Sequence, residues 1–206
     1  MLKKHNCDQQ SEEWFELRRQ YPLTASHAYA ISTGKVGLET LCYTKLSEKY
    51  SSGEVKTFGT VDTDRGNDLE PDARSLYELE TGNTVETIGF ATDDKISKVG
   101  GASPDGLVGD DGLLEIKAFA DLKHFKMIID FKKNGKFEIE TQYLWQMQQQ
   151  MLFLNRKWVD FLPYNPNYSQ SLLIQRVYAD KEMQDKIREG LKIGEKIIND
   201  IENSLK

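Results

Sequence analysis

Apolar positions recur along this chain with two periods, and the change from one to the other divides it into helices and strands. Over the C-terminal stretch, Met183, Ile187, Leu191, Gly194, Ile198, Ile201 and Leu205 follow one another at helical spacing, with Lys and Glu on the other face. This stripe predicts an amphipathic helix over about 180–205, capped by Asp180. Tyr143, Met147, Gln150, Met151 and Leu154 predict another between Ile139 and Asn155. Near the N-terminus, Ser11 before Glu12 and Glu13 marks a helix start that runs through Trp14, Phe15 and Leu17 to Arg18 and Arg19 and stops at Pro22. Thr24 suits the N-cap of a second helix, Ala25 to Ile31, with Ser26 in its first turn. A third covers Leu38 to Tyr50, and Ser51-Ser52-Gly53 follows as a connection. A fourth starts at Asn67 or Asp68 and carries Leu69, Ala73, Leu76 and Tyr77, with Pro71 in its first turn and Gly82 past its end.

Shorter extended runs fill the middle: Thr84 to Ile88, about Phe90 to Thr92, Val99 to Ser103, and a pair carrying Asp105 and Glu115. Trp158 to Leu162 and Leu172 to Tyr178 read as further strands of one sheet, joined by a turn segment at Pro163 to Asn167. With no internal repeat or long linker, the order predicts an α/β or α+β fold, a central mixed sheet flanked by helices, in one domain over 1–206.

Composition narrows the class. At 206 residues, 38% hydrophobic and 29% charged, the chain is long enough for one substantial core and short for two. No run approaches the ~20 apolar residues of a membrane span. Met1 to Asn6 lacks the apolar stretch of a signal peptide, so a cytoplasmic location is expected. Cys7 and Cys42 are too few for a disulfide framework or a cysteine-based metal centre, and His5, His27 and His124 have no metal-ligand spacing. The net charge of −6 argues against indiscriminate coating of nucleic acid but is compatible with an acidic cation site.

The candidate chemistry lies between Ser103 and Lys117. Asp105 ends one extended segment and Glu115 lies in the next, so folding back at Asp111-Gly112 brings the two carboxylates to one point. Glu115 and Lys117, two apart on a strand, share a side, while Ile116 points into the core and leaves its carbonyl near the carboxylates. Oxygen ligands of this kind suit Mg2+ or Mn2+, which activate water for attack on a phosphodiester; Lys117 would orient that water. So short a pattern also fits an ordinary hairpin. Lys117, Lys123, Lys126, Lys132, Lys133 and Lys136, interleaved with Phe119, Phe125 and Phe131, form either a phosphate-tracking segment or a solvated helix face over core aromatics.

Further motifs decide between these readings. Arg19 to Ser26, Gly66-Asn67-Asp68-Leu69-Glu70 with Ala73-Arg74, Ser103 to Lys117, and Tyr143-Leu144-Trp145-Gln146 followed by Asn165-Pro166 resemble, in order, the bacteriophage lambda exonuclease family of the restriction-endonuclease-like PD-(D/E)xK superfamily. The resemblance runs from about Trp14 to Asn167. It implies a Mg2+-dependent exonuclease, with Mn2+ as a substitute and one or two ions per site, that digests linear duplex DNA 5′ to 3′ and leaves a 3′ single strand for a phage annealing protein. Asp105, Glu115 and the Ile116 carbonyl would then hold the metal, Lys117 would assist the water, Glu70 would serve a second metal or its waters, and Gln146 would lie beside the scissile phosphate. Arg19 and Ser26 would bind the 5′-phosphate, and a homotrimeric ring is the implied assembly. This sequence departs from the family at Ala118-Phe119, where relatives often carry cysteine–proline, and over Ser51 to Asp64, which has no clear counterpart.

Single residues keep simpler readings beside these. Ser26 also reads as a helix-start serine, Arg19 as a surface cation, Glu70 as a helix-start carboxylate favoured by the macrodipole, and Gln146 to Gln150 as a polar helix surface. Asp110 and Asp111 read as turn residues. An endonuclease of the same superfamily and a catalytically silent DNA-binding module are the alternative functions.

Overall fold

The computed structural model describes residues 1–34, 36–51 and 61–206, with side chains from residue 68 onward in the last stretch. Its elements are β1 (Leu2–His5), α1 (Glu12–Gln20), β2 (Leu23–Thr24), α2 (Ala28–Thr33), α3 (Val36–Tyr50), α4 (Val61–Thr81), β3 (Val85–Glu86), β4 (Phe90–Asp93), β5 (Gly100–Gly101), β6 (Gly106–Val108), β7 (Gly112–Ala118), α5 (Asp121–Asn134), α6 (Thr141–Leu154), β8 (Trp158–Tyr164), β9 (Gln175–Tyr178) and α7 (Lys181–Ser204). The predicted mixed α/β architecture is observed. A five-stranded sheet in the order β3-β6-β7-β8-β9 is antiparallel except where β7 runs parallel to β8. Two small ladders, β1 with β4 and β2 with β5, bring the N-terminal segments onto this frame.

Strand alternation decides what covers each face of the sheet. Leu113, Val159 and Phe161 pack with Met127 and Ile128 of α5 and with Met147, Met151 and Leu154 of α6. The intervening Leu114, Ile116 and Leu162 pack with Ala73 and Tyr77 of α4 on the opposite side. A third cluster joins α2, α3 and α7 through Ile31, Leu38, Cys42, Ile187, Leu191 and Ile198, with Phe153 of α6 reaching into it. Helix α6 therefore touches both the sheet and the helical layer. Asp180 caps α7 as predicted, accepting from the Met183 amide at 3.0 Å, and Ser11 caps α1 through Trp14 at 3.2 Å.

Several expected boundaries differ. Helix α4 starts at Val61, not at Asn67 or Asp68, which places Glu70 and Pro71 inside it instead of in its first turn. Thr24 makes no side-chain cap bond, and the predicted second helix is a 3₁₀ turn over Ala25–His27 followed by the short α2, because Thr24 and Ser26 spend their hydroxyls on each other and on an arginine. The expected strand Val99 to Ser103 is ladder-paired only at Gly100–Gly101. Of the connection expected at Ser51-Ser52-Gly53, only Ser51 falls among the described residues, and most of the stretch to Asp64 lies outside them.

Candidate active site

The β6–β7 hairpin brings the two predicted carboxylates together. Gly106 pairs with Leu114 and Val108 with Gly112, and Gly109 turns the chain at φ +51°, a left-handed conformation that favours glycine. Asp105, just before β6, is tied to β7 twice: its amide donates to the Leu114 carbonyl at 3.2 Å, and its Oδ2 accepts from the Ile116 amide at 2.6 Å. Burial, and next the negative charge of Glu115, hold the Asp105 carboxyl well above the usual range.

Glu115 is fully buried, yet both its oxygens are claimed. Oε1 accepts from the Gln146 amide at 2.6 Å and pairs with the Lys117 ammonium, and Oε2 accepts from the Gln150 amide at 2.5 Å. Burial pulls the Lys117 pKa down, but the Glu115 and Asp105 carboxylates outweigh it and hold the ammonium above the ordinary lysine range. Lys117 is therefore a fixed positive charge at neutral pH and no proton acceptor. Its Nζ stands 5.6 Å from the centre of the Tyr143 ring. Lys123, half-exposed on α5, lies over the Phe119 ring at 3.8 Å and pairs with Glu140.

Glu70 reaches this hairpin from α4. It pairs with Arg74, whose Nη2 also donates to the Asp105 carbonyl at 3.1 Å. Burial raises the Glu70 pKa, Arg74 opposes that, and the Glu115 charge adds to it. Its mid-helix position removes the macrodipole reading, since that field acts in the terminal turns.

The donor set fits a hard divalent cation. Asp105 and Glu115 offer carboxylate oxygens, and the mutual repulsion that raises Asp105 is what a cation between them would relieve. Among the described residues no three His, Cys, Asp or Glu side chains are grouped as a metal cluster. Waters and backbone oxygens would therefore complete the shell.

A second cluster lies at α1 and β2. Arg18, half-buried, stacks over Trp14 with its guanidinium carbon 4.3 Å from the ring centre, and its Nη2 donates to the hydroxyls of Thr24 and Ser26, both at 3.3 Å. No carboxylate pairs with Arg18 among the described residues. Burial lowers its pKa to about 10, which leaves it charged at neutral pH. Arg19, the predicted partner of Ser26, instead pairs with Glu16 at 2.9 Å on the exposed side. Ser26 therefore meets Arg18 and not Arg19, although both arginines line the same cleft. Helical phase is the signal that distinguishes the two: Arg18 lies four residues after Trp14 and shares its face. The surrounding cleft of about 370 Å³ includes Trp14, Arg18, Arg19, Thr24, His27 and Lys45. His27 is driven to about 4 by burial first, then by the Lys45 and Arg18 charges against an opposing Glu48, which pairs with Lys45 at 2.8 Å, so the cleft holds a neutral imidazole beside the Arg18 guanidinium.

The glutamine run is no polar surface. Gln148, Gln149 and Gln150 are buried. Gln148 donates to the Tyr178 carbonyl at 2.8 Å and Gln149 to the Leu23 carbonyl at 2.9 Å. Gln150, read as part of the apolar stripe, is instead a direct partner of Glu115. The lone buried histidine, His124, bonds the Gln170 carbonyl at 3.0 Å, a structural role.

The fold and the family comparisons together support the class of a nuclease acting on DNA. The YqaJ-like viral recombinase domain matches residues 13–156, and the chain belongs to this lambda-exonuclease-like family. An alkaline exonuclease from Laribacter hongkongensis is similar to it at 30% identity and a TM-score of 0.74, over 95% of this chain and 98% of that one. The same enzyme in complex with dAMP gives the same values. A phage-related exonuclease from Haemophilus somnus 129PT is similar in fold alone, with a TM-score of 0.64 at 15% identity over 89% of this chain and 96% of that one. Comparison with curated proteins gave no match. Among the described residues no helix is long and apolar enough to cross a membrane.

Proposed function

We propose that this protein is a Mg2+-dependent exonuclease that digests one strand of linear duplex DNA from its 5′ end. The carrying observation is the Asp105–Glu115 pair on one hairpin with the Lys117 ammonium held against Glu115. A divalent cation held by Asp105, Glu115 and the Ile116 carbonyl would supply the charge that lowers the pKa of a water and offsets the scissile phosphate. Glu70, kept near Asp105 by Arg74, would assist through waters or a second ion. Lys117 stabilises negative charge developing on the phosphate oxygens and positions the attacking water. Gln146 and Gln150 fix the carboxylate of Glu115 so that this geometry is held before substrate arrives.

The Arg18 cleft supports the 5′ polarity. An uncompensated guanidinium with two hydroxyls is a receptor for a dianionic terminal phosphate, and Arg18 makes no bond to the metal-binding carboxylates. Arg18→Ala is expected to weaken discrimination between 5′-phosphorylated and 5′-hydroxyl duplexes by about 10- to 100-fold. Arg19→Ala should leave that discrimination nearly intact; initial rates on the two substrates give both ratios, and the reverse ranking would return the pocket to Arg19. The phage-type setting supplies the remaining elements of the proposal: a trimeric ring around DNA, a single-strand annealing partner and a cytoplasmic site of action. A solution mass of three chains by light scattering tests the ring.

The decisive assay compares a 5′-phosphorylated linear duplex with a closed circle of the same sequence, each with Mg2+ and with a chelator. Nucleotide release from the linear DNA alone, and only with metal, is the expected result. Cutting of the circle would make the protein an endonuclease, and cleavage of neither would leave a DNA-binding module.

A further inference from the structure

We infer that Gln149 is a positioning residue that sets the separation between the 5′-phosphate cleft and the metal-binding carboxylates, and with it the length of product removed per cut. The inference rests on the reading of the Arg18 cleft as the 5′-end pocket. Gln149 is fully buried, and its amide nitrogen donates to two carbonyls at once, Leu23 at 2.9 Å and Gly101 at 3.2 Å. Two carbonyls can be met only by the amino end of the amide, so chemistry fixes its orientation.

The two carbonyls belong to different functional segments. Leu23 immediately precedes the segment from Thr24 to Ser26, whose two hydroxyls, on Thr24 and Ser26, are bonded to Arg18. Gly101 leads through Ser103 and Pro104 to Asp105. Between these segments the ladder of β2 and β5 is only two residue pairs long, Leu23 with Gly100 and Thr24 with Gly101. Gly101 has no room for a side chain, since a Cβ there would meet the Phe90 ring and the Ala91 carbonyl. Gln149 clamps the same junction from α6. One residue further, Gln150 donates to Glu115 at 2.5 Å and to the Ser103 carbonyl at 3.4 Å. Adjacent side chains on one helical turn thus hold the end-binding segment and the cleaving segment against a common rigid element.

An apolar side chain of equal length would fill this core site while leaving the Leu23 and Gly101 carbonyls without this donor, so space filling alone does not account for the amide. Positioning does, because a displacement near 1 Å between bound end and reacting phosphate costs on the order of 100-fold in rate. The metal centre itself is untouched by Gln149, whose partners are both backbone carbonyls outside it.

The test is Gln149→Met, which keeps length and removes both donors, with Gln149→Asn as a second variant that keeps the amide but shortens its reach; thermal unfolding establishes that each is folded. Products from a duplex with a labelled 5′-phosphate are sized, and rates are compared with those on its 5′-hydroxyl counterpart. The expected result is a mixture of mono- and longer nucleotides and a loss of the phosphate preference by about 10-fold or more, with the rate on 5′-hydroxyl ends retained. Uniform products of wild-type length with unchanged preference would overturn the inference. So would an equal fall on both substrates, which marks a merely structural role. Absence of any phosphate preference in the wild type would instead overturn the reading of the cleft, a distinguishable failure.

Discussion

Asp105→Asn is expected to abolish cleavage while making the metal-free protein more stable. The carboxyl is held between the Ile116 amide and the negative charge of Glu115, with burial as the larger cause of its raised pKa. A raised folded-state pKa means that folding favours the protonated acid. The stability it brings is complete below the unfolded pKa and is lost as pH rises through the folded pKa, so wherever Asp105 is ionised in the metal-free fold its charge is a cost borne for function. Asparagine keeps an oxygen to accept from Ile116 and removes the charge. Turnover should fall on the order of 1,000-fold or more, as when a group acting on transition-state charge is removed. Thermal unfolding in chelator should shift upward and lose much of its pH dependence, and the further upward shift that Mg2+ gives the wild type, by binding only the folded state, should disappear. Activity within about tenfold of wild type would remove Asp105 from the site, since that is scarcely 1.4 kcal/mol of barrier.

How far the sequence could be read depended on whether the information was local. The Asp105–Glu115–Lys117 hairpin was legible because a two-residue side-chain period and a turn determine which groups share a face, and the pairing of Gly106 with Leu114 agrees. The amphipathic helix α7 was legible for the same reason, its stripe surviving as buried Ile187, Leu191, Gly194 and Ile198. What was misread depended on distant partners. Nothing within Gln146 to Gln150 reveals that carbonyls at Leu23, Gly101 and Tyr178 and a carboxylate at Glu115 wait opposite it. A run of amides therefore looked like solvent-facing surface when it was a set of buried ties. The neighbouring Arg18 and Arg19 differ only in helical phase, and the resemblance alone does not reveal that it is Arg18 that meets Ser26 while Arg19 turns to Glu16. Helix α4 begins at Val61, before the Asn67 or Asp68 start that the capping residues suggest.

Glu115→Gln is the sharper test of the same centre, because here charge and packing fail together. Three donors converge on the two oxygens of a fully buried carboxylate: the amides of Gln146 and Gln150 and the ammonium of Lys117. A glutamine has one oxygen, and its own amino group would face a donor on the other side. Lys117 would also keep its charge without the partner that sustains it. The expected cost is on the order of 2 kcal/mol, below the usual range for breaking a buried pair because Lys117 keeps some solvent contact. That corresponds to a drop of roughly 4–8 °C in thermal midpoint for a chain of this size. Turnover should fall as far as in Asp105→Asn. Adding Lys117→Met should recover most of the stability by removing the stranded charge while leaving activity absent, a non-additivity that a double-mutant cycle measures directly. If Glu115→Gln alone is as stable as the wild type, the carboxylate is not the anchor of Lys117 in solution; if it also cleaves DNA normally, the metal is held elsewhere.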